Sequence, residues 1–248
     1  MNPWLEKALA EPCSLTRAEL AALLTMDAPA ELFHAAYALK CRLFGKKVVL
    51  RGLIELGNVC AKDCFYCGIR RSNAMVIRYR LAEDDAVRMA QWAYEQRYGS
   101  VVLQSGEIET EENTAYIERI LRRVKAFADE KLGITLCLGE QSEAVYRRWR
   151  EAGAQRYLLR IETSNPELYR RIHPPDHSFA RRREALLTLR GLGYQLGSGV
   201  MTGLPGQTAE DLAADLEFFR AVGVDMLGMG PWLPHHDAPL GRDVALTP

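Results

Sequence analysis

The chain has 248 residues, long enough to bury a large core in one or two domains. Apolar residues make up 48% and charged residues 26%, while Lys plus Arg equals Asp plus Glu at 32 each. This is the composition of an ordinary globular protein, and the zero balance excludes the electrostatic footprint of a nucleic-acid binder or of a protein drawn to anionic membranes.

Met1-Asn2-Pro3-Trp4-Leu5-Glu6-Lys7 lacks the basic-then-apolar order of a secretory leader. Residues 1–46 are predicted as an N-terminal cap of two or three helices. Thr16-Arg17-Ala18-Glu19 has capping-box form, and Leu20, Leu23, Leu24, Leu32, Phe33 and Leu39 follow at roughly helical spacing. From residue 47 onward, short apolar runs alternate with longer amphipathic ones. Strands are predicted over 48–56, 100–104, 134–138, 156–161, 195–201 and 225–229. Helices are predicted over 83–97, 112–131, 141–152, 166–171, 178–192 and 208–222. The basic runs Arg122-Arg123 and Arg181-Arg182-Arg183 fall in helical patterns with acids nearby and read as solvated faces. Gly99, Gly133, Gly153, Gly193 and Gly223 each stand just before a strand, where a left-handed helix cap is expected.

Strands without polar alternation, repeated with helices between them, predict an α/β fold. The expected architecture is a parallel sheet of (βα)6 type covered by helices, curving into a partial TIM barrel. Functional groups should then gather at the C-terminal ends of the strands. No linker divides residues 47–248, which are read as one barrel core. Ala245-Leu246-Thr247-Pro248 looks like the opening of another helix, so the C-terminal part of an (βα)8 barrel is expected to be missing. No run of about 18 apolar residues is present to span a membrane.

Directly after the first predicted strand, the loop Gly57-Asn58-Val59-Cys60-Ala61-Lys62-Asp63-Cys64-Phe65-Tyr66-Cys67-Gly68 carries three cysteines. Their spacing is also one face of a helix, but Gly57-Asn58 and Gly68 bracket the segment with turn formers. A 4Fe–4S cube normally has four thiolate ligands, so Cys60, Cys64 and Cys67 leave one iron open to a ligand that is not protein. Structural zinc wants four ligands, commonly from two paired motifs. No second C-x2-C is present, and His34, His173, His177, His235 and His236 show no paired ligand spacing. Cys13, Cys41 and Cys137 read as buried small hydrophobes, although Cys137, between Leu136 and Leu138, is placed to face a barrel interior. Six cysteines in a chain of this kind are expected as reduced thiols or metal ligands, which places the protein in the cytoplasm.

The three-cysteine motif, with Tyr66 before its last cysteine, resembles the radical S-adenosylmethionine (SAM) superfamily. Further blocks resemble the HydE family, maturases that help assemble the di-iron site of FeFe-hydrogenases. They are Asn58-Val59-Cys60 through Cys67-Gly68-Ile69-Arg70-Arg71, Val102-Leu103-Gln104-Ser105-Gly106-Glu107 and Arg156-Tyr157-Leu158-Leu159-Arg160-Ile161-Glu162-Thr163, then Gly203-Leu204-Pro205-Gly206-Gln207-Thr208 and Asp225-Met226-Leu227-Gly228-Met229-Gly230-Pro231. The resemblance runs from about residue 15 to the last residue and keeps the family's spacing between blocks. It implies a 4Fe–4S cluster on Cys60, Cys64 and Cys67, with the open iron chelated by the amino and carboxylate groups of SAM. It also implies reductive cleavage of a sulfonium bond to a 5′-deoxyadenosyl radical. The implied substrate is an iron–carbonyl–cyanide–cysteine species supplied by a companion maturase, and the implied electron donor is a ferredoxin or flavodoxin.

By the same resemblance, the backbone at Tyr66 reaches the adenine and Ser105-Gly106-Glu107 hold the methionine amino group. Glu162 and Arg182 form a polar pair contacting SAM, since a guanidinium can grip a carboxylate and a carboxylate can accept from an amine or ribose hydroxyl. The segment containing Met201 lies near the ribose, and Leu227 and Met229 pack the adenine. For Glu107 a helix-capping role stays open, for Arg182 a solvated one, and for Leu227 and Met229 a place in the general core. Ile161 stands where better-known members carry a histidine, a change expected to alter the substrate cavity. Those members also continue well beyond this chain's last residue. A methylornithine synthase-like mutase and an inactive cluster-binding scaffold are the alternatives, while biotin-synthase-like sulfur insertion fits the surrounding blocks poorly.

Overall fold

The computed structural model describes residues 2–11, 14–128 and 131–242. Helices α1 (Pro3–Ala10), α2 (Arg17–Leu24) and α3 (Ala30–Phe44) come first. The strands that follow are β1 (Gly52–Gly57), β2 (Ser100–Ser105), β3 (Gly133–Cys137), β4 (Arg156–Leu158), β5 (Gln195–Thr202) and β6 (Met226–Pro231). Between them run α4 (Glu83–Glu95), α5 (Glu111–Ala128), α6 (Glu143–Glu151), then α7 (Pro166–Ile172) and α8 (Phe179–Gly191) together, and α9 (Ala209–Val222). The capping box expected at Thr16 and Glu19 is formed, and α2 packs on α9, where Arg17 pairs with Glu217.

Each helical crossover returns the chain to the start of the next strand, which parallel pairing requires. The sheet order is accordingly β1-β2-β3-β4-β5-β6, with every neighbouring pair parallel. Among the described residues β1 and β6 do not pair with each other, so the sheet is open, as expected for a partial barrel. Alternate residues turn to opposite faces. Ile54, Leu56, Val101, Leu103, Ile134, Leu136 and Leu196 join Ile120, Trp149 and Phe219 of the helices in one buried core. The intervening row is polar: Glu55 lies opposite Gln104, and Gln104 opposite Cys137.

Boundaries differ where pairing partners run out. The first strand starts at Gly52 rather than residue 48, because β2 offers no partner earlier, and Val48 and Val49 stay 79% and 76% exposed. β4 stops at Leu158 instead of residue 161. Beyond it the amides of Leu159 and Glu162 still reach the carbonyls of Gly197 and Gly199, both at 3.0 Å, but Glu162 takes a left-handed φ of 66° and bends the chain away. Gly153, Gly193 and Gly223 adopt the expected positive φ. Gly99 and Gly133 do not, and before β2 the left-handed position is taken by Arg97 (φ 61°). Cys13, the predicted end of α5 at residues 129–130 and Ala245–Pro248 lie outside the described residues.

Candidate active site

Cys60, Cys64 and Cys67 lie in the loop that leaves β1, and all three line one cavity of about 240 Å³ at the C-terminal ends of the strands. The same cavity is lined by Tyr66, Ser105, Gly106, Glu107, Glu162 and Arg182. Gly106 brings the chain after β2 against the cysteine loop: a Cβ there would stand 2.2 Å from the Val59 carbonyl oxygen and 2.7 Å from Cys60 Cβ. This approach aims peptide dipoles at sulfur. Cys60 Sγ accepts from the amide of Lys62 at 3.4 Å and from that of Glu107 at 3.3 Å, and the Ile69 amide bonds Cys67. Cys64 Sγ lies 3.8 Å from His177 Nδ1. Arg78 staples the loop, donating to the carbonyls of Asn58, Ile69 and Arg70 at 2.6, 2.8 and 2.6 Å. Burial pushes the Cys64 thiol up to about 12 against the pull of Tyr66 and Arg182, and burial also pushes the Cys67 thiol up. Burial thus favours the protonated thiol at both positions.

A buried network of charges closes one wall. Lys62 Nζ stands 2.9 Å from Glu107, and Arg182 pairs through Nε with Glu140, donates through Nη1 to the Arg160 carbonyl at 2.9 Å and lies 3.7 Å from Glu107. Arg182 is only 7% exposed, so it does not share the solvated face assigned to its run; Arg181 and Arg183 do. Burial raises the Glu107 carboxyl, opposed by Arg182 and Lys62. It raises that of Glu162 too, opposed by Arg160 and Arg182. Glu162 Oε2 is buried without a hydrogen-bond partner among the described residues, an acceptor open to a ligand's amine or hydroxyl. Gly139 is needed beside Glu107: its φ is 74°, and a Cβ there would meet Glu107 Oε2 at 2.1 Å. Sequence reasoning missed Glu140. The signal was available, since a glutamate follows each of three successive strands, as Glu107, Glu140 and Glu162.

His173 and His177 correct the expectation of unpaired histidines. Four residues apart, they lie with Cys64 so that one ligand atom of each falls within 4.8 Å of the others. His173 is already engaged at both nitrogens: Nδ1 donates to the Tyr169 carbonyl at 2.9 Å, and Nε2 therefore accepts from the Tyr66 hydroxyl at 3.2 Å. Burial keeps its ring neutral down to about 3. The trio is thus short of ligands for tetrahedral zinc. Three thiols from one loop beside an unpartnered buried carboxylate oxygen instead fit a 4Fe–4S cube with one corner left for a small polar ligand.

The other expected residues scatter. Met201 is buried with Leu168, Ile172 and Leu204, packed against Tyr66 one layer from the cavity. Leu227 and Met229 lie opposite Ser198 and Val200, and Val200 belongs to the helix-side core, so strand parity turns both away from the cavity. They are 55% and 43% exposed. Ile161 is fully buried in the main core and does not line the cavity, contrary to the expectation that this position shapes it. Cys137 lines the cavity with Gln104 and Arg160 and is not a plain core residue, while Cys41 is half-buried on α3.

Comparison with known proteins agrees with this geometry. The profile of the radical SAM superfamily matches residues 54–219. The chain is 43% identical over 213 residues to the [FeFe] hydrogenase maturase subunit HydE of Thermotoga maritima, covering 86% of this chain and 60% of that protein. It is 30% identical over 255 residues to the biotin synthase of Streptomyces avermitilis, covering 100% of this chain and 64% of that one. The crystal structure of methylornithine synthase (PylB) superposes with a TM-score of 0.87 at 26% identity, over 96% of this chain and 70% of that chain. The chain spans less than two thirds of the length of these two curated relatives.

Proposed function

Because the chain belongs to the radical SAM superfamily, we propose that it is an enzyme of the HydE maturase type, acting in assembly of the di-iron cofactor of FeFe-hydrogenases. One observation carries the reading. Three cysteines of one loop and the buried set Glu107, Glu162 and Arg182 open on a single cavity, in a chain 43% identical to a HydE subunit. When bound, a 4Fe–4S cluster and SAM supply one-electron cleavage of a sulfonium C–S bond. The chain's own residues do the rest. Cys60, Cys64 and Cys67 hold the cluster. Ser105, Gly106 and Glu107 receive the methionine amino group, Tyr66 offers its backbone to the adenine, and Met201 backs Tyr66 from behind. Glu162 accepts a hydrogen bond at Oε2, while Arg182, oriented by Glu140, supplies positive charge for the carboxylate. Gln104, Cys137 and Arg160 form the polar floor on which a small iron complex would sit. A ferredoxin or flavodoxin as electron donor, companion maturases as partners and a cytoplasmic location complete the proposal; no described helix is long and apolar enough to cross a membrane.

Anaerobic reconstitution, reduction and addition of SAM are expected to yield methionine and 5′-deoxyadenosine, with Cys64→Ser abolishing both cluster and cleavage. A fully loaded cluster that leaves SAM intact would instead mark a scaffold. The likeness to methylornithine synthase favours a second reading, and formation of methylornithine from lysine would put that reading in place of the first.

A further inference from the structure

We propose that Asp215, which lies on α9 outside the cavity lining, is the positioning residue that holds Glu162 toward SAM; this rests on the reading of Glu162 given above. Glu162 is one of two described residues other than glycine with positive φ, at 66°. A side chain with a Cβ stays in that region only where the chain is fixed on both flanks. One flank is fixed by β5: the Glu162 amide donates to the Gly199 carbonyl at 3.0 Å, and its own carbonyl accepts from Met201 at 3.2 Å. The other flank is fixed by α9. Asp215 Oδ1 accepts from the Ser164 amide at 2.6 Å, and one turn earlier Asp211 Oδ1 accepts from the Asn165 side chain at 2.8 Å.

Asp215 is poorly suited to any other purpose. It is fully buried, and its Oδ2 has no hydrogen-bond partner among the described residues. A buried carboxylate whose hydrogen bonds come from one residue alone, Ser164, weakens a fold relative to an apolar side chain of similar size. What it does secure is the place of Ser164, and through Ser164 the bend that presents Glu162.

The test uses the full chain, reconstituted without oxygen. It measures iron content, SAM affinity by equilibrium dialysis, and amide hydrogen exchange across residues 162–165. Asp215→Ala and Asp215→Leu, the latter filling the space with an apolar group, are expected to load iron normally. Both should weaken SAM binding about tenfold, the scale of one lost hydrogen bond, and speed exchange at Ser164 by a similar factor. Asp215→Asn keeps an acceptor at Oδ1 and is expected to bind SAM like the parent. Parent-like affinity in the Ala and Leu variants, with affinity lost in Glu162→Gln, overturns the role of Asp215 and leaves the site reading standing. Affinity indifferent to Glu162→Gln removes both. A loss in Asp215→Asn equal to that in Asp215→Ala overturns the acceptor role as well.

Discussion

Burial moves the Asp215 carboxyl up to about 6 from an ordinary 3.8, against the pull of the Ser164 hydrogen bonds. The sign of the effect on stability follows. Below about pH 4 the carboxyl is protonated in folded and unfolded chains alike; between 4 and 6 the unfolded chain ionises first. Stability is therefore lost as pH rises through that window. At 1.36 kcal/mol per pH unit, the full loss is about 3 kcal/mol above pH 6. Asp215→Asn lacks this dependence, so its stability advantage over the parent is expected to grow between pH 4.5 and 7.5, as urea titrations at both values would show; a constant difference would contradict the assignment. At this scale the sequence disclosed the residues whose chemistry is local. Cys60, Cys64 and Cys67 announce themselves because all three thiols sit in one loop and reach one cavity. Arg78, Glu140 and Asp215 do not, because each acts on groups that only the folded chain brings within reach.

Among elements, α9 combines cap and clamp. The Thr208 hydroxyl accepts from the Asp211 amide at 3.1 Å, and the Asp211 carboxylate accepts from the Thr208 amide at 2.8 Å. Thr208→Ala is expected to cost about 1 kcal/mol, measured as a lower urea midpoint with unchanged slope. Helix ends of this kind are written in the sequence, as the Thr16 box also was. Strand ends are less legible, since they depend on where a neighbour begins. Residues 48–51 are as apolar as a strand but face no partner, and Leu159–Ile161 prolong the strand-like sequence past Leu158 until the backbone turns at Glu162. Parity is equally hidden. Leu227 and Met229 sit on the expected strand, yet its register with β5 directs them away from the cavity.

For the molecule as a whole, the repeating βα unit made the sheet order readable, because sequential parallel strands follow from crossovers of this length. The openness of the sheet was readable only as an expectation from counting units. The main core contains none of Cys60, Cys64 and Cys67, which separates this protein from small zinc domains that unfold when metal leaves. Stripping iron with a chelator under anaerobic conditions is expected to shift the melting temperature by no more than about 2–4 °C, the scale of a 1 kcal/mol change at this size. Collapse of the far-ultraviolet circular dichroism on chelation would show that metal and fold are coupled after all. The two amides that reach the Cys60 sulfur explain the expectation. If the polypeptide casts this mould unaided, a bound cluster lost to oxygen would call for a refill and not for a new chain.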